Sequence, residues 1–423
     1  MSDMAVAETV ALHSSVVPGF NLPAIRADFP ILAKRFHGKP LAFFDTAASA
    51  QKPRAVIEAV SGLYENDYAN VHRGLYALSD ASTRAYEAAR EKVRAHINAA
   101  SEREIVFTRG TTEAINAVAG SLGIDILQPG DEVIISTLEH HANIVPWQML
   151  RDRHGIVLKI IPITDDVSLD LEAFHGLLSD KTKLVAVTHQ SNAVGVRSPV
   201  VEIVAACRER GIATLVDGAQ GIVHGQVDVQ ALGCDFYVFS GHKFYGPTGI
   251  GVLYGREEWL DRMTPWQGGG EMIRTVTFDE TTYADLPAKF EAGTPPIAQA
   301  VGLGAAIDYV TSVGFEKIAA HERDVYDYAR DALSDVDGVS VVGNTPDQSG
   351  ALSFTMACAH PHDIGTVIDR EGVAVRAGHH CAMPLLQRLD LPATTRASFG
   401  LYNSRADVDA LVASLKKVLK LFA

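Results

Sequence analysis

Cysteine is scarce in this chain: only four occur among 423 residues. No two of them form a Cys-x-x-Cys pair, so neither a disulfide framework nor a tetrahedral cysteine zinc site is expected. No apolar run reaches the roughly 18 residues that a membrane span requires. Residues 1–20 contain no lysine or arginine, which a secretory or mitochondrial leader needs. The sequence therefore predicts a protein of the reducing cytoplasm in which residues 1–20 form a flexible tail.

Positive charge is also in short supply. The 37 Lys and Arg residues are outnumbered by 51 Asp and Glu residues, which gives a net charge of −14. A general nucleic-acid binder or a binder of anionic membranes needs a basic face, so neither kind of partner is expected. Hydrophobic residues make up 47% and charged residues 21%, which is typical of a soluble chain that buries a large core.

Seven short β-rich runs alternate with helical stretches from residue 41 to residue 254. Most of these runs are apolar throughout, as expected of strands buried on both faces. The alternation predicts an α/β domain over residues 41–293, with a mainly parallel seven-stranded sheet covered by helices. The predicted strands are Glu104–Thr108, Glu132–Ser136, Val157–Pro162, Leu184–Thr188, Thr214–Asp217, Phe236–Ser240 and Gly251–Tyr254.

The character of the sequence changes after the glycine-rich stretch at residues 268–270. A long helical pattern from residue 297 and shorter strand-like runs, such as Ala351–Met356, predict a smaller α+β domain. This domain is expected to contain residues 21–40 together with residues 294–423. Its last helix carries an apolar stripe from Val408 to Phe422, and Ser404 with Asp407 forms a predicted capping box.

The strongest chemical signal lies between residues 214 and 243. Asp217 directly follows a buried strand, where open α/β sheets present ligand-binding groups, and Lys243 follows the next strand behind Ser240 and His242. Such a lysine suits Schiff-base chemistry, and a carboxylate pairs with the protonated ring nitrogen of pyridoxal phosphate (PLP). Taken singly, Asp217 is better explained as a helix cap and Lys243 as a solvated residue. Together they favour the cofactor.

Three weaker signals each have an ordinary structural explanation as well. Thr111 and Thr112 follow a strand and begin a helix, so they could cradle a phosphate or simply cap the helix. His140, the first of two adjacent histidines, could stack on an aromatic ring, transfer a proton or bind a metal, but no third ligand stands at a telling spacing. Asn192 could hold a carboxylate. Taken singly, His140 and Asn192 are better explained as hydrogen-bonded loop residues, whereas a threonine that caps the helix can also face a ligand.

Cys381 differs from the other three cysteines, which lie on or beside apolar elements and are expected to be inert core thiols. It lies in a Gly- and His-rich segment, residues 376–384, where a cation could stabilise a thiolate. We expect His380 or Arg376 to do so. Arg396, which follows this segment, could clamp a substrate carboxylate or form a surface salt bridge.

Several segments resemble motifs of the class-V aminotransferase family: LEHHANIVPWQ, THQSNAVG, VDGAQ, SGHKFYGPTGIG, FEAGTPP, RAGHHCAMPL and TTRASFGLYN. Within that family they are similar to the SufS-type (group II) cysteine desulfurases and their selenocysteine-lyase relatives. The resemblance runs from about residue 27 to the C-terminus, and RAGHHCAMPL is its most specific piece. Kynureninase-like and aminotransferase-like relatives lack that cysteine loop. The resemblance implies the PLP-dependent transferase fold of type I.

The resemblance also implies which residues bind the cofactor. They are Lys243 as its Schiff-base partner, Asp217 at the pyridine nitrogen, Gln220 at the phenolate oxygen, His140 stacked on the ring, Thr111, Thr112, Ser240 and His242 around the phosphate, and Thr294, which reaches the phosphate of the neighbouring subunit in a homodimer.

The implied substrate site consists of Asn192 and Arg396, which would bind the carboxylate of L-cysteine. Cys381 would be the nucleophile and persulfide carrier, and Arg376 and His72 match further active-site positions. The implied activity is that of a cysteine desulfurase, which converts L-cysteine to L-alanine and passes the sulfur to iron–sulfur cluster assembly. An acceptor protein of SufE or SufU type would withdraw the persulfide.

Two alternatives stay open at this point. Selenocysteine lyase or cysteine-sulfinate desulfinase activity would use the same residues, so the sequence cannot separate them from a desulfurase. A non-catalytic metal- or sulfur-binding protein is the alternative from another class. It predicts a colourless protein that contains bound metal and in which Lys243 is dispensable.

Overall fold

A seven-stranded sheet forms the centre of the computed structural model, which describes residues 15–343 and 345–422. All seven predicted strands are present and belong to this one sheet, so the predicted α/β fold is confirmed. In spatial order the strands are Ile105–Thr108, Gly251–Gly255, Phe236–Ser240, Ala213–Asp217, Thr182–Thr188, Glu132–Ser136 and Val157–Ile161.

The sheet is mainly parallel, and apart from its edge strand Val157–Ile161 it is largely buried on both faces. Four of its six pairings are parallel, and Gly251–Gly255 runs antiparallel to both of its neighbours. On the strand Glu132–Ser136, Ile134 belongs to one buried apolar cluster, whereas Val133 and Ile135 belong to a second one. Because both faces are covered, the three central residues of the strand are all apolar and show no alternation.

Helices connect the strands and cover the sheets. The α-helices are Leu22–Ala27, Arg54–Gly62, Ala77–His96, Thr111–Asp125, Val145–His154, Leu171–Leu177, Val200–Glu209, Gly221–His224, Val229–Leu232, Glu257–Arg262, Ile297–Val313, Phe315–Ser334, Pro361–Asp369, Met383–Arg388 and Arg405–Phe422. Short 3₁₀ turns occupy Pro30–Ala33, Glu102–Glu104, His141–Asn143 and Ala288–Phe290, and a π-helical turn occupies Leu63–Asp67.

A second sheet has four antiparallel strands. In spatial order they are Val339–Val341, Ala351–Met356, Thr394–Ser398 and Arg376–Gly378. No strand is predicted from the sequence for Thr394–Ser398, because four of its five residues are polar, yet all five are buried in the middle of this sheet. Arg396 lines the candidate site described below, whereas Ala397 belongs to a buried apolar cluster, so the strand contributes to both the site and the core.

The N-terminal segment packs against the second sheet. Ala42–Phe43 pairs in parallel with Val373–Ala374. Two further short pairs are antiparallel: Arg35–Phe36 with Lys39–Pro40, and Ile273–Val276 with Thr281–Tyr283.

Residues 1–14 of the predicted tail lie outside the described residues. Within residues 15–20, Phe20 is buried and stacks on His321 with ring centroids 4.2 Å apart. The division of the chain into two domains stays a prediction.

Within residues 15–343 and 345–422, no single helix is long and apolar enough to cross a membrane. The consecutive helices Ile297–Val313 and Phe315–Ser334 are bent by 78° relative to each other. Only by their combined length and composition would this pair meet the requirements for a membrane span.

The predicted capping box at the last helix is present, and one of its members has a second task. The Ser404 amide donates to Asp407 Oδ2 at 2.9 Å, and the Asp407 amide donates to Ser404 Oγ at 3.2 Å. Arg26 Nη1 also donates to Asp407 Oδ2 at 2.8 Å. Because the Asp407 side chain is only 5% exposed, this ion pair ties the N-terminal helix to the last helix in a largely dry environment.

We expect Asp407→Ala to destabilise the protein by about 3 kcal/mol, because it removes a cap and leaves Arg26 without its carboxylate. The measurement is the midpoint of urea unfolding. Asp409→Ala, on the same helix, removes only an exposed hydrogen bond from Tyr328 and should cost about 1 kcal/mol or less. Equal losses in the two variants would show that the Arg26 pair contributes nothing.

Candidate active site

A cavity of about 440 Å³ lies at the carboxyl ends of the parallel strands. Ends of parallel strands are where open α/β sheets bind their ligands. The segment of residues 376–381, which belongs to the second sheet and its following loop, lines the cavity as well. The cavity brings together twelve of the fourteen residues predicted for the site: Thr111, Thr112, His140, Asn192, Asp217, Gln220, Ser240, His242, Lys243, Arg376, Cys381 and Arg396.

Asp217 ends one strand and Lys243 follows the neighbouring strand, and each of the two residues affects the pKa of the other. Burial raises the pKa of Asp217, and the Ala219 amide, which donates to Asp217 Oδ1 at 3.0 Å, opposes that shift, as does Lys243. Burial lowers the pKa of Lys243 below its usual value, and Asp217 acts in the opposite direction. A lysine with a lowered pKa has more of the neutral amine that attacks a carbonyl carbon.

One corner of the cavity is built to hold an anion. It lies at the N-terminus of the helix Thr111–Asp125, where the Thr111 amide donates to Ser240 Oγ at 2.9 Å. Gly110, with φ of 156°, precedes the helix, and a Cβ there would stand 3.2 Å from Ser240 Oγ. Free amides and the helix dipole favour negative charge at such an end. Burial lowers the pKa of His242, in the same corner, to about 4, so its ring is neutral at neutral pH.

His140 lines the cavity as a neutral ring. Its Nδ1 accepts a hydrogen bond from the Ala142 amide at 3.0 Å, so the ring proton sits on Nε2. Burial, with a further contribution from Lys243, lowers the pKa of His140 to about 3. A neutral imidazole can lie against an aromatic ring without introducing a buried charge.

Glu139, next to His140, is fully buried and is absent from the predicted site residues. It accepts hydrogen bonds from the Thr188 amide at 2.9 Å, from Asn143 Nδ2 at 2.7 Å and from the Ser136 hydroxyl. Burial raises the pKa of Glu139 to about 8. These bonds connect two strand ends and fix the loop that carries His140. A charged residue shortly after a buried strand, the signal used for Asp217, could have identified it.

The two predicted arginines form one cluster. Arg376 and Arg396 are register partners on adjacent strands of the second sheet. Arg396 is buried, so the alternative of a surface salt bridge is wrong. Its Nη1 donates to the Asn192 carbonyl at 2.9 Å, and its Nε is buried without a partner within the described residues. Burial lowers the pKa of Arg396 to about 10. This unpaired donor suits a carboxylate ligand.

Asp45 holds both arginines and was not singled out from the sequence. Arg376 Nε and Nη2 donate to its two carboxylate oxygens at 3.0 and 2.7 Å, and Arg396 Nη2 donates to Oδ1 at 3.2 Å. Asp45 does not itself line the cavity. No sequence signal marks it, because the partners lie more than 300 positions away along the chain.

Cys381 lies in a strained loop at the edge of the cavity, and its side chain is exposed. Both His380 and Cys381 have left-handed backbone conformations, with φ of 54° and 56°. Each such residue costs roughly 1–3 kcal/mol and persists only where its surroundings enforce it. The His141 amide donates to the Cys381 carbonyl at 2.7 Å, and Asn192 Nδ2 donates to the His380 carbonyl at 2.7 Å.

The remaining cysteines have different environments. Burial raises the pKa of Cys207 and of Cys234 to about 12, which keeps both thiols protonated. Cys358 is half-buried. Only protonated, buried thiols are expected to be inert, so Cys207 and Cys234 have the environment of core thiols.

Two predicted residues lie outside the cavity. His72 Nε2 pairs with Glu87 Oε1 at 2.8 Å, and Thr294 is exposed shortly before the helix Ile297–Val313. A second, open depression shares Thr111, Thr112, Ser240 and His242 with the cavity and extends to the surface at Trp266. The anion corner is therefore also accessible from outside the subunit.

The cavity residues fit PLP. One cavity contains a lysine for the aldehyde and a buried carboxylate for the ring nitrogen. It also has an amide-lined corner for the phosphate, which a Cβ at Gly110 would crowd. Within the described residues, no group of three or more His, Cys, Asp or Glu side chains could hold a metal ion.

Comparison with known proteins agrees with this site. The family model for class-V aminotransferases matches residues 42–411. The chain is 50% identical over 403 residues to a cysteine desulfurase of Pectobacterium carotovorum, covering 95% of this chain and 99% of that protein. It is also 50% identical over 406 residues to a cysteine desulfurase of Dickeya dadantii, covering 96% and 98%.

Solved structures give the same result. The cysteine desulfurase CsdA from Escherichia coli has a TM-score of 0.89 and 42% identity, covering 96% of this chain and all of that one. The cysteine desulfurase from Thermococcus onnurineus has a TM-score of 0.90 and 37% identity, covering 96% and 99%. The predicted family is confirmed, and the group II subtype stays a prediction. The chain belongs to the class-V aminotransferase family of PLP-dependent enzymes.

Proposed function

We propose that this protein is a cysteine desulfurase that converts L-cysteine to L-alanine and takes the sulfur onto Cys381 as a persulfide. The observation that carries the proposal is the single cavity lined by Lys243, Cys381 and Arg396. It combines a lysine amine, a thiol and a carboxylate-binding cation, which are the three groups that this reaction needs. The relatives named cysteine desulfurase support the same activity.

The cofactor residues have distinct tasks. Bound PLP would supply the electron sink that stabilises negative charge at the substrate Cα. Lys243 would hold the cofactor and, once released by substrate, carry the Cα proton. Asp217 would keep the ring nitrogen protonated, and His140 would lie against the ring. Gln220 would reach the phenolate oxygen, and Thr111, Thr112, Ser240 and His242 would hold the phosphate.

The substrate residues would orient L-cysteine for sulfur transfer. Arg396 Nε, which is buried without a partner among the described residues, would donate to the carboxylate together with the Asn192 amide. The Cys381 thiolate would then attack the substrate sulfur, so that an S–S bond forms as the Cβ–S bond breaks. A proton taken up at Cβ and the return of the Cα proton from Lys243 would complete L-alanine. One sulfur atom moves to the enzyme, and no external oxidant is required.

Arg376, rather than His380, is the cation that would support the Cys381 thiolate. Burial lowers the pKa of His380 to about 3, so its ring is neutral, and its Nε2 is engaged with Thr394 Oγ1 at 2.8 Å. The Arg376 guanidinium is charged and lines the same cavity as Cys381, and their charges interact. Of the two residues named from the sequence, the contacts therefore favour Arg376.

Downstream, an acceptor protein of SufE or SufU type would withdraw the persulfide for iron–sulfur cluster assembly. The exposed side chain of Cys381 supports transfer to a partner, because a second thiol can approach it from solvent. Selenocysteine would fit the same residues, so lyase activity toward it is a second candidate. The site suits a cytoplasmic reaction, since a free thiol must stay reduced.

We also propose that the enzyme is a homodimer with shared active sites. Thr294 and His72 lie on the surface rather than in the cavity of their own subunit, and the anion corner opens outward toward Trp266. A neighbouring subunit could therefore bring its Thr294 to the phosphate through this opening.

The desulfurase proposal is tested by measuring L-alanine released from L-cysteine in the presence of reductant, after recording the visible absorbance. Cys381→Ala should keep the yellow colour of bound PLP but lose activity by roughly a hundredfold or more, since the sulfur has no acceptor. Cys358→Ala, a half-buried thiol in the same part of the fold, is the matched control and should retain activity.

Two results would contradict the proposal. A Cys381→Ala protein that releases alanine at the wild-type rate would indicate a lyase that needs no thiol. A colourless wild-type protein that PLP cannot reconstitute would exclude PLP chemistry, in agreement with the metal- or sulfur-binding alternative.

The role of Arg376 is tested by the rate at which iodoacetamide alkylates Cys381 at pH 7. Arg376→Ala should slow this reaction about tenfold because a nearby cation is lost, whereas Arg376→Lys should restore much of the rate. Arg388→Ala, which removes an exposed arginine paired weakly with Asp165, should change nothing. A faster or unchanged rate in Arg376→Ala would rule out this role.

The shared-site proposal is tested by subunit complementation. Lys243→Ala and Thr294→Ala are each expected to be weakly active when expressed alone. When they are co-expressed, a mixed dimer would contain one site with Lys243 from one subunit and Thr294 from the other, so activity should return. Absence of recovery in a preparation shown by mass to contain mixed dimers would refute sharing.

A further inference from the structure

Lys52 is a half-buried lysine directly behind the anion corner at the N-terminus of the helix Thr111–Asp125. Its Nζ donates to the His242 carbonyl at 2.9 Å and also to the Ala50 carbonyl. Lys52 lines neither the cavity nor the open depression beside it, whereas His242 lines both. The ammonium group is therefore separated from the corner by a single residue, the one that precedes Lys243.

The charge of Lys52 is not balanced by the protein. Among residues 15–343 and 345–422, no carboxylate lies within ion-pair distance of Lys52, and its Nζ donates only to the two backbone carbonyls. Burial lowers the pKa of Lys52 to about 8, and no neighbouring charge opposes that shift. The group is still mostly protonated at neutral pH. A partly desolvated charge without a partner is costly, which indicates that a bound anion balances it.

The hydrogen-bonding needs of the His242 carbonyl do not explain Lys52. The same carbonyl accepts the Ala50 amide at 3.0 Å and the Ser49 hydroxyl at 3.4 Å. A carbonyl oxygen has two lone pairs, so it is satisfied without the ammonium group. Because the Ala50 amide also anchors the backbone of this segment, replacement of the Lys52 side chain should leave the segment folded.

The corner has no free cation of its own in the described part of the chain. Four residues line both the cavity and the depression there: Thr111, Thr112, Ser240 and His242. Three of them are uncharged by nature, and the His242 ring is neutral, since burial and the nearby charges of Lys243 and Lys52 lower its pKa to about 4. At the rim, Arg109 pairs with Glu113 at 3.4 Å, and its side chain is 79% exposed.

The other charged groups of the cavity have tasks elsewhere. Lys243 is assigned to the cofactor aldehyde and Asp217 to its ring nitrogen. Arg376 and Arg396 lie on the second sheet and are assigned to the thiolate and to the substrate carboxylate. A phosphate monoester carries a charge of about −1.5 to −2 at neutral pH, so the corner has to hold a strong anion. Of the cations around it, Lys52 is the one left without a charged partner within the described residues.

We propose that Lys52 is a positioning residue for the cofactor phosphate, and that its ammonium group supplies through space the positive charge that the anion corner lacks. The unbalanced lysine, the uncharged corner and the single residue between them carry the proposal. It rests on the cofactor-binding part of the proposed function and not on sulfur transfer. It adds a residue that favours phosphorylated pyridoxal over pyridoxal without lining the cavity.

A role of the charge and a purely structural role lead to different results. If Lys52 acts by its charge, its loss should weaken the binding of PLP, which carries the phosphate, and leave the binding of pyridoxal, which lacks it, nearly unchanged. If Lys52 only holds the His242 carbonyl, its loss should displace Lys243 and weaken the binding of both aldehydes alike. The ratio of the two dissociation constants separates these roles.

The experiment removes the cofactor from the full-length enzyme, titrates the protein with PLP and with pyridoxal, and follows the visible absorbance of the bound compound. The quantity compared is the dissociation constant of PLP divided by that of pyridoxal. Lys52→Gln should raise this ratio about tenfold, because a charge interaction in a partly desolvated site is lost. Lys52→Met, measured in parallel in case one variant fails to fold, should do the same. Lys52→Arg, which keeps the charge, should stay close to the wild type.

Lys289→Gln is the matched control. Lys289 is also half-buried, its Nζ donates to the carbonyls of Leu260 and Asp261 at 2.9 and 3.0 Å, and burial lowers its pKa as well. It lines neither the cavity nor the depression, so its loss should leave the ratio unchanged. An unchanged ratio in Lys52→Gln and Lys52→Met, or an equal rise in Lys289→Gln or in Lys52→Arg, would overturn the proposal.

The result is separable from the test of the desulfurase. If the wild-type protein binds PLP but makes no alanine from L-cysteine, the proposed function fails, while the ratios still measure the influence of Lys52. If the wild type is an active desulfurase and the ratio does not respond to the loss of the Lys52 charge, only the inference fails.

Discussion

The site depends on the contacts that pair the buried guanidinium of Arg396 with Asp45 and with the Asn192 carbonyl. A buried charge persists only with charged and hydrogen-bonding partners, and here those partners, Asp45 and the Asn192 carbonyl, come from two segments far from Arg396 in the sequence. Asn192 follows a strand of the large sheet, whereas Arg396 belongs to the second sheet. Satisfying one charge therefore brings both sheets together around the cavity.

The same contacts explain why polar residues fill a central strand. Thr394–Ser398 would be a weak strand by composition, but three of its polar side chains, Thr394, Arg396 and Ser398, form hydrogen bonds at the junction of the sheets. Ser398 Oγ donates to the Phe44 carbonyl at 3.1 Å, and Thr394 Oγ1 meets His380 Nε2. Buried polar groups that are paired favour one arrangement over others, and Thr394, Arg396 and Ser398 each make such a hydrogen bond. The strand thus holds the cysteine loop and the arginine cluster in one register.

The sequence alone predicts those strands and site residues that are marked by a local pattern of residues. The seven strands of the large sheet are apolar runs separated by helical patterns, and Asp217 and Lys243 stand where parallel strands end, so their position follows from topology. Asp45 could not be found in the same way. Its role depends on contacts made only in three dimensions, because its bonds to Arg376 and Arg396 span 331 and 351 positions of the chain.

The cysteine loop meets two opposing requirements. In the proposed function Cys381 would need to face the cavity to reach the substrate sulfur and to be open to solvent to pass that sulfur on, and it both lines the cavity and is exposed. Two consecutive left-handed residues, His380 and Cys381, turn the chain sharply enough for both, at an energetic cost that their hydrogen bonds to Asn192 and His141 offset. Because Asn192 is also the residue proposed to bind the substrate carboxylate, the proposed recognition residue is the one that holds the loop of the proposed nucleophile in its strained shape.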